Sequence, residues 1–241
     1  IPHDSKSEKY FPFLLIKKIS SKLVFVSKYT KDDFNDRYGD KKPSVLINHG
    51  IMPVFPSYRQ PSEEKSGLDR LCYGDIVFWG RVEKYKGVDI FENMLSDFDV
   101  YIFGKWAGDL ENLRLDLYKR PNVNLTDAYL NSTFLDELLG SKTIFVLPYR
   151  AATQSGVLYS FLAYGAVFIS TDVGENGRFL NEYGLKDLLF DRDDEESIVR
   201  AYNYAYYNYS AIKTELEKAK EDYMWHNLVD GETVKSLYSL E

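Results

Sequence analysis

The residues of this chain best suited to chemistry are cations and a helix start rather than a nucleophile. Arg81 follows the apolar run Asp75–Trp79, and Lys86 comes one short loop later, beside Gly87. Far along the chain, Ser155-Gly156 opens the helical pattern Val157–Tyr164 after the polar loop Tyr149–Gln154. The first amides of a helix have no intrahelical acceptor and sit at the positive end of its dipole, so such a start suits an anion, most often phosphate. Gly156 leaves the backbone open to close approach. A guanidinium offers phosphate oxygens a planar fork, and an ammonium a mobile point charge. Together, Arg81, Lys86 and the helix start at Ser155-Gly156 read as a clamp for a diphosphate. Taken singly, they are also two solvated loop cations and an ordinary strand–helix turn.

Other chemistries lack support. There is no Walker loop, no GxGxxG at a first turn and no His/Cys/carboxylate set with metal-ligand spacing, so no metal and no cofactor is expected. Ser155 lacks the G-x-S-x-G setting of a nucleophilic serine. Of the three histidines, His3, His49 and His226, only His3, at the end of a strand-like IPHD, is placed for a cleft. The single cysteine, Cys72, excludes an internal disulfide and fits a reducing compartment.

The elements that must carry these groups alternate. Lys22–Ser27 and Ser44–Asn48 read as strands around a helix Tyr29–Tyr38 capped by Ser27, and Met52–Leu71 reads as a linker. A second series follows: strands at Asp75–Trp79, Val100–Phe103, Val123–Thr126, Thr143–Leu147, Val167–Ser170 and Leu188–Phe190. Helices are expected at Val88–Leu95, Leu110–Lys119, Phe134–Leu139, Val157–Tyr164, Asn176–Glu182, Glu195–Tyr209, Ala211–Tyr223 and Trp225–Leu240. The first of the two long late helices is rich in Tyr and expected to cover apolar surface. Strands alternating with helices at this spacing imply a parallel sheet covered on both faces. Ligands of such sheets collect beyond the carboxyl ends of the strands. That rule puts Gly80-Arg81, Gly104-Lys105, Thr126–Tyr129 and Tyr149–Gly156 on one rim.

The 241 residues carry a net charge of −7, which argues against a nucleic-acid binder. The charge is uneven: residues 1–43 hold ten Lys/Arg and six Asp/Glu, a local +4. The apolar block Tyr10–Ile19, ending near Lys17-Lys18, reads as a core helix or as an amphipathic patch at an anionic membrane. No apolar run is long enough to span a membrane, and no signal peptide is visible, so a cytoplasmic protein is expected, with a peripheral place on the inner face of the membrane as the alternative.

An ordered series of motifs resembles the retaining, GT-B fold glycosyltransferases of glycosyltransferase family 4. IPHD (1–4) is similar to the family's T-x-H-D strand end, and LVFVSKYTKDDFNDRYG (23–39) to its strand–helix. VLINHGI (45–51) resembles the end of its first domain, and FWGRVEKYKGVDIF (78–91) its G-R-x-x-x-x-K-G segment. VLPYRAATQSGVLYSFLAYGAVFISTDVG (146–174) resembles its donor loop and helix, and Trp225, His226 and Tyr238 its terminal segment.

The resemblance implies an α/β, GT-B-like architecture: residues 1–53 as the second half of an N-terminal, acceptor-side Rossmann-like domain, 54–72 as linker, 73–222 as a complete nucleotide-sugar-binding Rossmann-like domain with a parallel sheet, and 223–241 as a C-terminal helix. The chain is thus expected to begin inside the first domain. By the same resemblance, Arg81 and Lys86, with Gly80, hold the diphosphate of a nucleotide-sugar donor. Gln154, Ser155, Gly156 and Val157 bind its distal phosphate and sugar. Ala128, Tyr129 and Ser160 lie on the base and ribose side, and His3 faces the transferred sugar. One departure stands out. Where the family often has two Glu, this sequence has Ala152 and Ser160. The implied reaction moves a sugar, without metal, to a glycan or lipid-linked acceptor in surface polysaccharide synthesis. Two alternatives remain: a nucleotide-sugar epimerase on the same fold, which needs carboxylates at the sugar, and a non-catalytic nucleotide-sugar-binding module.

Overall fold

The computed structural model describes residues 15, 18–39, 42–54, 71–93 and 96–238. Six short strands form one wholly parallel sheet: β3 (Ile76–Trp79), β4 (Val100–Phe103), β5 (Val123–Thr126), β6 (Ile144–Leu147), β7 (Phe168–Thr171) and β8 (Leu189–Phe190), in the order β5-β4-β3-β6-β7-β8. A smaller parallel pair joins β1 (Leu23–Phe25) to β2 (Ser44–Leu46), with helix α1 (Lys28–Tyr38) between them. Ser27 caps α1 as expected, its hydroxyl accepting from the Thr30 amide at 3.1 Å.

The larger sheet is covered by α2 (Glu111–Tyr118), α3 (Ser132–Gly140), α4 (Gly156–Tyr164), α5 (Gly174–Glu182), α6 (Glu195–Tyr207) and α7 (Tyr209–Glu221). Both faces of its inner strands are covered: all four residues of β4, β6 and β7 are buried, apolar throughout in β6 and including the hydrogen-bonded Ser170 and Thr171 in β7. Helix α4 is buried on nearly every side, and Phe161 meets Phe145 at 4.5 Å and Phe168 at 5.6 Å between ring centroids. The chain runs outward from β3 through β4 to β5, then returns to lay β6 on the other side of β3. The carboxyl ends of β3 and β6 therefore flank the point where the strand order reverses.

Several local expectations are corrected. Of the expected helix Val88–Leu95, the part Val88–Glu92 is a short 3-10 turn without a side-chain cap, entered through the left-handed Gly87. The Tyr-rich helix ends at Tyr207 and the next begins at Tyr209, broken at Asn208. Within that stretch Tyr202 and Tyr209 are buried, their hydroxyls donating to Gly74 O and Ser141 O, while Tyr207 is exposed. The terminal segment is two helices, α8 (Trp225–Leu228) and α9 (Gly231–Tyr238). Of the Tyr10–Ile19 block, Leu15 and Ile19 are 46% and 73% exposed, against a reading of that block as core. His3 and most of the expected linker lie outside the described residues.

The segment after β2 passes from one sheet to the other. The His49 amide bonds to Val26 O at 2.8 Å, on the β1 side. Two residues later, the Ile51 amide bonds to Tyr223 O at 2.9 Å and the Met52 amide to Tyr159 O at 3.1 Å, on the larger unit. Trp225 Nε1 donates to Ile51 O at 3.1 Å, and the His49 ring stacks on Tyr159 at 4.5 Å.

Gly87 is the tightest point of the loop after β3. Its φ is +70°, and a Cβ there would lie 2.0 Å from Pro148 O. Gly184 has the same φ but open space around it. Gly184→Ala is expected to lower the unfolding free energy by ~1–2 kcal/mol, for the left-handed backbone alone. Gly87→Ala is expected to cost more, because the Pro148 carbonyl must also move; urea unfolding of the two variants checks that order.

Candidate functional site

A cleft of about 430 Å3 opens where the strand order reverses. After β3 it takes Trp79, Gly80, Arg81, Tyr85 and Lys86; after β4, Gly104 and Lys105; after β5, Ala128, Tyr129 and Leu130. The start of α4 supplies Gln154, Ser155, Gly156, Val157 and Ser160, and Met52 closes one side. Every site residue expected from the sequence and described here is thus brought into one hollow.

Lys86 ends a 3-10 turn, Lys84–Lys86, whose first backbone bond runs from the Lys86 amide to Glu83 O at 2.9 Å. The turn tucks its side chain inward, and Lys86 is only 7% exposed. A Cβ built on Gly80 would lie 3.0 Å from Lys86 Nζ and 3.5 Å from Val157 Cγ2, so the ammonium sits over Gly80 beside the first turn of α4. The Tyr149 ring also lies beside it, 5.4 Å from Nζ to the centroid. Burial pulls the Lys86 pKa down to about 8, with Glu83 opposing the shift and Arg81 adding to it.

Arg81 is placed differently. Its side chain is 62% exposed and its guanidinium is ion-paired with Glu83, two residues on. Lys105, on the same rim, is held by Asp127 at 3.0 Å, and Asp127 also accepts from the Trp106 amide and pairs with Arg114. The Trp106 hydrogen bond, followed by Lys105, holds the Asp127 carboxyl below its ordinary range.

Helix α4 begins where the sequence placed it, but not through a serine cap. The Ser155 backbone is extended and its side chain makes no capping bond; its hydroxyl pairs instead with Tyr149 OH at 3.2 Å. The opening amides of α4 therefore receive no side-chain acceptor from Ser155 and stand at the cleft wall. Ser160, 5% exposed, follows one turn further in, while Tyr129 stands 74% exposed on the rim. Burial pushes the Tyr149 hydroxyl well above its ordinary pKa, so it remains a neutral hydrogen-bonding group.

The rim rule found Gly104-Lys105, although the expected site set omitted them. Trp79, Tyr85 and Leu130 flank chosen positions and carried no signal of their own. Met52 could not be found locally. It comes from the segment after β2, and its sulfur lies 3.7 Å from a Cβ built on Gly156. His49 has a structural place, its Nδ1 2.7 Å from Gly50 O. Among the described residues, no group of three or more His, Cys, Asp or Glu is arranged to hold a metal ion.

The model of the glycosyl transferases group 1 family matches residues 74–208, the whole of the larger sheet and the helices that cover it up to α6. The chain belongs to that family. No curated protein matches it by sequence. Among solved structures it is similar to Anabaena Alr3699/HepE in complex with UDP, with a TM-score of 0.76 at 13% identity over 99% of this chain and 71% of that one. It is also similar to sucrose-phosphate synthase from Thermosynechococcus elongatus, with a TM-score of 0.70 at 14% identity over 94% of this chain and 61% of that one. The lipopolysaccharide outer core galactosyltransferase WaaB gives 0.61 at 14% identity over 91% and 62%. The chain thus spans roughly three fifths to seven tenths of these structures. At such identities the likeness carries the fold, a Rossmann-like α/β unit of GT-B type.

The Lys86 ammonium should make anion binding pH-dependent. A lysine whose folded pKa lies below its unfolded value costs stability while charged, so stability gains from Lys86 as pH rises between about 8 and its ordinary value of 10.5. Anion binding runs the other way: sulfate affinity should fall as pH rises through about 8, and Lys86→Gln should flatten that step. Titration calorimetry across that range checks both.

Proposed function

We propose that this chain is the donor-binding part of a retaining, metal-independent glycosyltransferase that uses a nucleotide-diphosphate sugar. One observation carries the reading: the buried Lys86 ammonium faces the open start of α4 across Gly80, in the cleft at the sheet's reversal. A cation and a helix N-terminus on the two sides of one hollow fit a diphosphate. The UDP-bound and UDP-glucose-bound states of Anabaena HepE support a uridine donor.

As the bond between sugar and phosphate breaks, negative charge grows on the leaving diphosphate. Lys86, Arg81 and the α4 amides stabilise that charge more than they stabilise the bound donor, which is what lowers a barrier. In this reading fixed cations do the work that a metal does elsewhere, and the acceptor hydroxyl attacks on the face the leaving group vacates. Gly80, Gln154, Ser155, Gly156 and Val157 hold phosphate and sugar, Ser160, Ala128 and Tyr129 lie toward the ribose and base, and the family resemblance assigns His3, outside the described residues, to the transferred sugar. Among the described residues lining the cleft none carries a carboxylate, which favours transfer over an epimerase that needs one at the sugar. A glycan or lipid-linked acceptor fits the likeness to WaaB and to WaaG, the latter described as involved in lipopolysaccharide biosynthesis.

A peripheral membrane contact completes the proposal. Among the described residues no helix is long and apolar enough to cross a membrane. Exposed Leu15 and Ile19 flank exposed Lys18 in the basic first segment, a pairing of apolar and cationic groups suited to an anionic lipid surface.

Two measurements test these statements. Lys86→Ala and Arg81→Ala should each lower sugar transfer from UDP-glucose by roughly 100-fold or more while the protein still melts cooperatively; unchanged turnover in both would refute the assignment. Lys18→Glu should weaken sedimentation with phosphatidylglycerol-containing vesicles by roughly five-fold or more, with no change on neutral vesicles.

A further inference from the structure

The second cation of the clamp is already engaged. Arg81 is ion-paired with Glu83, and that carboxylate sits at the head of the 3-10 turn that carries Lys86. Glu83 occupies the N-cap position of the turn, yet its side chain makes no capping bond, which leaves it directed to Arg81. It does not line the cleft: it borders a separate hollow of about 250 Å3, beside Lys84, Val88 and Asp89. Arg81, in contrast, lines the cleft while exposing 62% of its side chain. The guanidinium therefore stands at the mouth with its fork turned to an acidic group on its own loop.

Carboxylate and phosphate oxygens compete for the same planar donors. We propose that Glu83 is a built-in competitor for the donor diphosphate: it holds Arg81 while the cleft is empty, releases it when the diphosphate arrives and recaptures it as the product nucleotide leaves. Glu83 is then a positioning residue that sets donor affinity and product release, and it touches no reacting atom. The Lys86 ammonium has no such rival within ion-pairing distance among the described residues, so the two cations divide the task. Lys86 is a standing part of the site, and Arg81 closes on arrival. A pair whose guanidinium is 62% exposed is screened by water and weak, which suits a contact that must open in every cycle.

This inference rests on the proposal that Arg81 binds the donor diphosphate, and one set of variants separates the two. UDP binding is measured by calorimetry at pH 6.5 and low salt for the wild type, Glu83→Gln, Arg81→Ala and the double variant, and UDP dissociation by stopped flow. Glu83→Gln should bind UDP roughly two- to five-fold tighter and release it correspondingly more slowly, and the gain should vanish or shrink by more than half when Arg81 is absent. Glu83→Asp, with a shorter arm, should shift affinity the same way by less, which keeps the test open if the glutamine variant does not fold. Equal or weaker binding by the folded Glu83 variants overturns the inference, as does an undiminished gain without Arg81, which would mark a through-space charge effect only. If Arg81→Ala itself leaves UDP affinity unchanged, the diphosphate reading of Arg81 falls as well, whereas the first two results leave it standing.

Discussion

A buried ammonium is costly unless something answers its charge, and the loop after β3 is built around one. Lys86 has lost most of its water, lies against the Tyr149 ring and faces backbone amides that repel rather than satisfy it. The folded protein tolerates this because the loop is fixed from several sides. The 3-10 turn is closed by the Lys86 amide on Glu83 O, the left-handed Gly87 is pressed onto the Pro148 carbonyl, and the Arg150 amide reaches Tyr85 O at 2.7 Å. The binding energy an anion gains here has been supplied in advance by folding, which is the sense in which the cleft is preorganised.

That preorganisation depends on topology. Two strand ends belonging to different halves of the chain must be neighbours for Lys86 and α4 to meet, and β3 and β6 become neighbours only because the chain reverses direction across the sheet. The register of the pair is short, Ile76 opposite Ile144 and Val77 opposite Phe145, so the two loops separate almost at once and leave a hollow between them. The cleft is a consequence of the strand order, and the cations are placed on its edge by residues that need do nothing except end the strands.

Much of this was legible in the sequence, because strands buried on both faces read as apolar runs and their ends are sharply marked by Gly, Pro or charge. All six strands of the larger sheet and the start of α4 were found within a residue or two. The failures have local causes. Val88–Glu92 has a helical apolar pattern but enters through a left-handed glycine and gains no cap, so it stops at a 3-10 turn. The break between the two late helices falls at Asn208, two residues before the Ser210 that the sequence suggests, because in helix-compatible sequence packing rather than propensity sets the boundary. Rim residues were foreseeable from strand ends, whereas Met52 belongs to the cleft through one tertiary hydrogen bond, from its amide to Tyr159 O, for which no spacing rule exists. The Arg81–Glu83 contact was equally invisible: a residue two places away in an irregular loop faces its neighbour or not according to backbone angles that composition does not dictate.

The passage from the small sheet to the large one has a consequence for the wall of the cleft. The main chain belongs to β1 at His49 and to the α4–α7 body at Ile51, so its allegiance changes across a single residue, Gly50, which packs under the Trp225 indole closely enough to exclude any side chain. A Cβ at Gly50 would lie 2.5 Å from the Trp225 indole, and that indole also donates to Ile51 O, so Trp225 pins the crossover from both sides. Met52, two residues on, is held by its amide on Tyr159 O with its sulfur against Gly156, so the strap that leaves the small sheet becomes a fixed wall of the cleft.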